Sequence, residues 1–373
     1  MAVRFLKKLM RKKITKKSKG CVYVGMSGGV DSSVSALLLK KEGYEVVGVF
    51  MKVWTPSFLP CTWEDERRDA MRVAATLGIP LLTWDFEKEY KEGVADYMIA
   101  EYRAGRTPNP DVMCNREIKF GAFFRRAMGA GADFVATGHY AQVAHDKKSN
   151  LYTMQKGVDE AKDQSYFLWT LGQQQLSKTL FPIGGLKKPQ VRGLAKKFAL
   201  PVADKKDSQG LCFMGVLDMK DFLAHFIAEK EGNVVNEKGE VVGTHRGTSF
   251  YTLGERHGFT VTKKSADDTP YYVIAKDLEK NTLLVSHKLK NKLEHNSGQE
   301  ILLSEINFCR GVAPEPKKIY TAQVRYHGEF YQCKIQNLNN TALTLHFSKP
   351  IIADRGQSVV LYDGLECLGG GVI

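Results

Sequence analysis

The chain has no run of roughly 18 or more apolar residues of the kind that crosses a membrane, no C-x-x-C pair, and no lysine-bearing phosphate loop of the form G-x-x-x-x-G-K-S/T. Its first twenty residues contain no acid. Each absence narrows the function. Without an apolar run no membrane partner is expected. The seven cysteines (Cys21, Cys61, Cys114, Cys212, Cys309, Cys333, Cys367) are odd in number and widely scattered, with no secretory signal. That excludes a disulfide framework and a zinc knuckle as the organising feature, and points to reduced thiols in a cytoplasm-like compartment. The acid-free start, "MAVRFLKKLMRKKITKKSKG", holds nine Lys and Arg, so it accounts for nine of the formal +13 charges and leaves +4 for the rest. It reads as a solvated basic extension over residues 1–20. It lacks the apolar core of a signal peptide and favours lysine over the arginine and serine of a transit peptide.

What is present is ordinary globular composition, 43% hydrophobic and 25% charged over 373 residues, enough for two or three domains. From residue 21 the pattern alternates. Strands are predicted at 21–26, 45–51, 81–86 and 133–137, and helices at about 31–42, 64–77, 87–103 and 112–128, with Gly43 and Gly78 as stops. Repeated βα units imply a parallel sheet covered by helices, with ligands beyond the carboxyl ends of the strands. The loops Ser27 to Ser32, Met51 to Pro60 and Gly138 to Tyr140 should therefore share one crevice. Past residue 150 the rhythm breaks into a polar stretch to Ser165, a helix at about 187–200, a Gly-containing turn in "KKDSQGLCFMG" and a helical segment at about 216–230. After about 299, "IYTAQVRY", "FYQCKIQNL", "TALTLHF", "QSVVLYDG" and "ECLGGGVI" alternate with period two, the signature of a small antiparallel barrel or sandwich. The expected fold is an α/β parallel-sheet domain over 21–215, a small linking domain over 216–298 and an all-β domain over 299–373.

"CVYVGMSGGVDSSVSALLLKKEG" (21–43) turns from strand to helix through Ser27, Gly28 and Gly29. Glycines let the backbone approach an anion, and a helix N-terminus supplies free N–H groups and a favourable dipole. A bare Gly-Gly pair is more often a plain βα turn with an N-cap. The run Ser27-Gly28-Gly29-Val30-Asp31-Ser32 is more specific, and resembles the S-G-G-x-D-S pyrophosphate loop of ATP pyrophosphatases. Such a turn suits a pyrophosphate that departs intact. Asp31 beside the phosphates is a candidate Mg²⁺ ligand, directly or through water.

In "AGRTPNPDVMCNREIKFGAF" (104–123) two prolines stiffen a loop that leads into a helix, with Cys114 expected in its first turn. A helix N-terminus lowers a thiol's pKa, and Arg116 and Lys119 flank it. Cys212 follows the Gly-containing turn in "DSQGLCFMG". By itself it reads as a core cysteine between Leu211 and Phe213. With Cys114 and a nucleotide loop it points to a thiol pair, one carrying sulfur and the other resolving a persulfide or disulfide.

"GMSGGVDSSVSALLL", "AGRTPNPDVMCNREIKFGAF", "ATGHYA", "KDQSYFL", "LFPIGGLKKPQVR", "DSQGLCF", "TLGERHG" and "CLGGGVI" stand in order from residue 25 to the C-terminus. Together they resemble the bacterial and organellar tRNA-specific 2-thiouridylases, over all but the basic tail. The resemblance implies ATP contacts at Gly25, Met26, Ser27, Gly28, Gly29, Val30, Asp31, Ser32, Met51 and Gly138. It implies a target-base loop at Asn109, Pro110 and Asp111, and tRNA contacts at Lys162, Asp163, Gln164, Arg325 and Tyr326. Cys114 is the implied nucleophile and Cys212 the persulfide carrier, joined in a redox-active Cys114–Cys212 disulfide during turnover. Phe213-Met214 departs mildly from the aliphatic residue expected after "CF", which puts nothing catalytic in doubt.

The implied activity is ATP-dependent replacement of the 2-oxygen of the wobble uridine by sulfur in tRNAs for Lys, Glu and Gln. The substrates and partners are ATP with Mg²⁺, the tRNA anticodon stem-loop, and a sulfur donor such as a cysteine desulfurase or a relay protein. Asp111 is a candidate general acid or base. The location expected is the bacterial cytoplasm, with the mitochondrion as the alternative. Rival readings are a lysidine or amide-forming synthetase, which needs the ATP loop but no cysteine pair, and a non-catalytic RNA-binding protein.

Overall fold

Five strands form the parallel sheet of the first domain: β1 (Cys21–Gly25), β2 (Glu45–Lys52), β3 (Leu81–Asp85), β4 (Phe134–Ala136) and β7 (Thr179–Leu180), in the order β3-β2-β1-β4-β7. The structure is a computed structural model that describes residues 18–59, 63–207, 218–262, 269–287, 299–339 and 341–373. Register places Val22 opposite both Val46 and Phe134, so β1 lies between β2 and β4. The chain thus leaves β1 in one direction for β2 and β3 and returns on its other side for β4. That reversal is the switch point at which doubly wound sheets open a ligand crevice beyond their strand ends. The turn after β1 and the loop after β4 both border it.

Helix α1 (Val30–Glu42) follows the turn and ends at Gly43, which takes the left-handed φ of 94° that a helix stop requires. One face of the sheet is covered by α1, α2 (Trp63–Leu77) and α3 (Lys188–Lys197), which meet Val22, Val24, Val46 and Phe50 in one apolar layer. The other face packs on two long helical stretches, at 87–103 and 110–129. Both contain wider π-helical turns, at Lys91–Asp96 and Cys114–Phe123, a geometry that is uncommon and concentrates at functional sites. The apolar layer on this face runs on into Phe222, Leu223, Tyr251, Val273 and Leu283 of the middle domain, so those two domains share a core.

In the middle domain the described part of the helical segment expected at 216–230 is one short helix, Met219–Ala224. A five-stranded sheet follows, made of β8 (Gly232–Val235), β9 (Val241–His245), β10 (Thr260–Val261), β11 (Tyr272–Asp277) and β12 (Thr282–Ser286). The last domain is a barrel, not a sandwich. Strands β13 (Glu300–Phe308), β14 (Ile319–Gln323), β15 (Phe330–Leu338), β16 (Leu343–Phe347), β17 (Ser358–Asp363) and β18 (Glu366–Val372) close on themselves through the β13–β18 pairing. Closure removes open edges and encloses Leu303, Leu345, Phe347 and Val359.

One expectation fails. The stretch from 150 to Ser165, read as polar and without structure, opens with β6 (Leu151–Lys156), which forms a hairpin with β5 (Ala141–Asp146) and pairs with β18 of the barrel. The first domain therefore donates two strands to the sheet of the last.

Candidate active site

The turn after β1 holds its shape through its own hydroxyls. Ser32 Oγ accepts from Ser27 N at 3.3 Å and donates to Gly29 O at 3.2 Å, and Ser33 Oγ donates to Gly29 O at 2.7 Å. Gly29 is the N-cap of α1 and has no side chain to satisfy the helix's first N–H groups. Those donors are left for a ligand. Gly28 has φ +73°, and a Cβ there would lie 2.3 Å from the carbonyl oxygen of Glu66, so no other residue fits. The loop after β4 comes as close: a Cβ on Gly138 would stand 2.6 Å from Ser32 N. A Cβ on Gly25 would meet Met51 Cε at 3.0 Å. Gly25, Met51, Gly138 and the turn thus gather at the switch point, as the sequence implied. Met26 and Val30 are 1% and 4% exposed, with side chains in the core, so they can offer a nucleotide only backbone.

Asp31 is held from two directions. Tyr140 OH donates to its Oδ1 at 2.8 Å, and Lys188 Nζ donates to Oδ1 and Oδ2 at 2.9 and 2.8 Å. Burial and then the neighbouring Asp31 raise the Tyr140 phenol's pKa, so the hydroxyl stays a donor. Lys188 also pairs with Asp207 at 2.8 Å, and Asp207 in turn accepts from Lys162 at 2.9 Å and Arg192 at 2.7 Å. For Asp207 the burial that would raise its pKa is overcome by the bonds from Lys188 and Lys162, which hold the carboxyl well below the usual range. Among the described residues no three His, Cys, Asp or Glu side chains gather as a metal would need. Both Asp31 oxygens are already engaged, Oδ1 by Tyr140 and Lys188 and Oδ2 by Lys188.

From Tyr140 the contacts run to the second loop. Tyr140 N donates to Gln164 Oε1 at 3.1 Å, and Gln164 N to Tyr140 O at 2.9 Å. Asp163 accepts from Gly157 N at 2.9 Å and Ser165 Oγ at 2.8 Å. Burial raises the Asp163 carboxyl's pKa, and these bonds oppose the rise. Next to Tyr140, His139 is 6% exposed, with Nδ1 at 2.7 Å from Thr137 Oγ1 and Nε2 at 3.4 Å from Lys119 Nζ. Burial, reinforced by Lys119, pushes this imidazole well below its usual pKa, so it is neutral. On Asp111 burial acts in the other direction and raises the carboxyl's pKa, while the Lys119 ammonium again lowers it and so opposes burial. A carboxyl raised toward neutrality is suited to moving a proton.

Asn109 caps the helix that carries Cys114, accepting from Val112 N at 3.1 Å, with Pro110 at the first helical position. This corrects one expectation. The helix starts at Pro110 rather than at 112, so Cys114 is its fifth residue, two positions further in and past the first turn, where the helix dipole has largely faded. Arg116 is also committed elsewhere, to Glu117 at 2.8 Å and Glu305 of the barrel at 2.9 Å. Cys114 is 4% exposed, packed with Met113 and Ile118. It sits three residues after Asp111, on the same helix face.

The barrel closes the site. Phe167 and Tyr326 rings lie 4.3 Å apart between centroids, and burial, reinforced by the charges of Asp163 and Asp111, pushes the Tyr326 phenol's pKa up to about 12. Arg325 is exposed and acts electrostatically on Tyr166, which also meets the Asn109 side chain. The structure therefore brings Asn109 to Asp111, Asp163, and Arg325 with Tyr326 to one place, although 216 residues separate Asn109 from Arg325 in sequence. Lys162 points instead to Asp207 and the turn side. Cys212 and Cys61 lie outside the described residues. Burial pushes the Cys21 thiol up to about 11 and Cys333 up to about 12, as expected of inert cysteines. Nothing in the local pattern marks Lys188 or Tyr140 as partners of Asp31, His139 as a partner of Lys119, or Asp207 as a partner of Lys188; they meet only through the fold.

Three family models match in sequence: a tRNA methyl transferase HUP domain over residues 20–216, a tRNA methyl transferase PRC-barrel domain over 220–287 and an aminomethyltransferase beta-barrel domain over 298–373. Among solved structures, the U34-tRNA thiolase NcsA from Methanococcus maripaludis is 18% identical with a TM-score of 0.34, over 57% of this chain and 68% of that one, a likeness too slight to bear on function. The tRNA-specific 2-thiouridylase MnmA of Bacillus cytotoxicus is 47% identical over 355 residues, 94% of either chain. That of Enterococcus faecalis is 47% identical over 361 residues, 95% of this chain and 96% of its own. Matched at this identity along nearly its whole length, with an ATP-pyrophosphatase turn at the switch point of its sheet, the chain belongs to the tRNA-specific 2-thiouridylase family.

Proposed function

We propose that the chain is an ATP-dependent tRNA-uridine 2-sulfurtransferase that exchanges the 2-oxygen of a tRNA uridine for sulfur and releases AMP and pyrophosphate. The observation that carries this reading is the run of hydrogen bonds from Asp31 of the phosphate turn through Tyr140, Gln164 and Phe167 to Asn115, the residue after Cys114. A nucleotide site and a buried thiol are two ends of one assembly.

The chemistry starts from a poor leaving group. A uridine oxygen does not depart as oxide, so O2 attacks the α-phosphorus of ATP, the O–P bond forms, and the α–β bridge breaks. Pyrophosphate leaves into the turn of Ser27 to Ser32, whose N–H groups and α1 dipole stabilise it. Gly25, Met51 and Gly138 shape the pocket for the rest of the nucleotide. Mg²⁺ carried by the phosphates neutralises charge there, with Asp31 reaching it through water. The base must be turned out of its stack, cheapest in a single-stranded loop, and Asn109, Pro110 and Asp111 receive it.

Sulfur arrives as a persulfide on Cys212. The Cys114 thiolate attacks the Cys212 sulfur, either releasing sulfide that adds to C2 or resolving the adduct after the persulfide itself has added. In both routes AMP leaves, a Cys114–Cys212 bond forms, and the transferred sulfur takes the electron pair. A dithiol reductant then restores both thiols. Asp111 moves the proton. Gln164, Arg325 and Tyr326 bind the tRNA around the base, Lys162 meets it from the turn side, and Asp163 holds their loop. The tRNAs are those for Lys, Glu and Gln, read at the wobble uridine, and the donor is a cysteine desulfurase or a protein that relays its sulfur. A lysidine or amide-forming synthetase would have no use for the thiols.

Thiolation of unmodified tRNA with ATP and a persulfide donor tests the reading. Loss of 2-thiouridine in Cys114→Ser and in Cys212→Ser is expected. Full thiolation by both would overturn it.

A further inference from the structure

The phosphate turn has no lysine of its own, yet one is delivered to it from 157 residues away. Lys188 begins α3, and its side chain is 11% exposed, a degree of burial that an ammonium tolerates only when paired. Its three N–H donors are all used: two on Asp31 at 2.9 and 2.8 Å and one on Asp207 at 2.8 Å. Asp207 does not depend on Lys188, because Lys162 and Arg192 also hold it at 2.9 and 2.7 Å. Among the described residues the Asp31 carboxylate has only the Tyr140 phenol besides.

We infer that Lys188 is the lysine of the pyrophosphate turn, supplied from a distant part of the same chain, and that it contacts the phosphates of ATP and then pyrophosphate. The inference rests on the turn being the nucleotide site. The electrostatics require a cation at this point. A highly charged phosphate chain cannot settle beside a bare Asp31 carboxylate, and Lys188 neutralises that carboxylate while staying within the crevice. When phosphate arrives, Asp207 is the acceptor that yields its place on Lys188, since two other cations retain it. Counting Asp31, Asp207, Lys188, Lys162 and Arg192, the cluster carries one net positive charge before the ligand enters. Lys205, the other lysine at the turn, differs: its Nζ donates to Gly28 O at 3.2 Å and pairs with Asp69 at 2.8 Å, so it braces the backbone from behind.

The test is binding of inorganic pyrophosphate to the full chain by titration calorimetry, together with steady-state kinetics in ATP. A charge-assisted contact to phosphate implies that Lys188→Gln weakens pyrophosphate binding and raises the ATP KM roughly ten- to hundredfold. Lys188→Arg should recover most of the loss. Lys196→Gln, on the same helix but paired with Asp204 in solvent, should leave both values unchanged. Wild-type pyrophosphate affinity in Lys188→Gln would overturn the inference. So would a lower melting temperature with weakened binding that Lys188→Arg restores in stability but not in affinity, since that marks a structural prop. Gly28→Ala separates the underlying reading: if it too binds pyrophosphate normally, the turn is not the site and the assignment of Lys188 falls with it. If Gly28→Ala abolishes binding while Lys188→Gln does not, the site stands and only Lys188 is misassigned.

Discussion

Asp354→Ala should loosen all three domains at once. The carboxylate stands before β17 with its side chain 5% exposed and meets Lys276 of the middle domain, 7% exposed, at 2.6 Å. Its Oδ2 also accepts from Thr107 Oγ1 at 2.9 Å and Leu253 N at 3.2 Å, and its Oδ1 from Arg355 N at 2.9 Å. Lys276 Nζ donates further to Gly105 O at 2.8 Å and Tyr251 O at 3.0 Å. Removing the carboxylate leaves a buried ammonium with two carbonyls and strips an acceptor from three neutral donors. Breaking a buried pair from one side costs about 3–5 kcal/mol. In urea that is a midpoint shift on the order of 1 to 2 M. Because three domains are involved, the transition should be followed by two probes, tryptophan fluorescence and far-UV dichroism, to detect loss of a single cooperative step. Replacing both partners with apolar residues, Lys276→Met with Asp354→Leu, should restore most of the stability, because two apolar groups need no partner. Gly105 and Thr107 lead directly into Asn109 to Asp111, so tRNA affinity should fall with Asp354→Ala even where the protein remains folded. An effect below about 1 kcal/mol, or a double variant as unstable as the two single effects added together, would refute the reasoning.

Three further outcomes follow from the site. Cys114→Ser should still release pyrophosphate from ATP in the presence of tRNA while thiolation falls by about 10⁴-fold or more, and equal loss of both steps would contradict the division of labour between turn and thiol. Gly138→Ala drives a methyl into Ser32 N, at 2.6 Å before any shift, and should raise the ATP KM at least about tenfold with little change in tRNA affinity, measured by filter binding. His139 is held neutral by burial and Lys119, so its folded pKa is depressed. Its contribution to stability is complete above the unfolded value of about 6.5 and is lost as the pH falls below it; His139→Gln should flatten the urea midpoint between pH 7 and pH 5, and an unchanged slope would count against the neutral assignment.

The architecture was legible in sequence because its signals are local. Period-two and helical patterns, with Gly43 and Gly78 as stops, come from contacts a few residues apart, and the parallel sheet and the closing β domain followed from them. The hairpin at 141–156 escaped because its strands are short and polar. Its register partner β18 begins at residue 366, and no pattern within the hairpin specifies a partner that far away. Cys114 was placed in a first turn because Pro110 was read as loop, whereas Asn109 caps the helix directly before it.

The chemistry on offer is written in the sequence: a glycine turn with Asp31 for a pyrophosphate, a rigid Asn109-Pro110 entry to a helix bearing Cys114, and neither a C-x-x-C pair nor a long apolar run. Tertiary structure decided which charges meet. Lys188 reaches Asp31 across 157 residues, Tyr140 across 109, and Thr107 reaches Asp354 across 247. Those encounters depend on the order of strands in the sheet and on the closure of the barrel. They are set by the burial of whole apolar faces, which no short stretch of sequence contains.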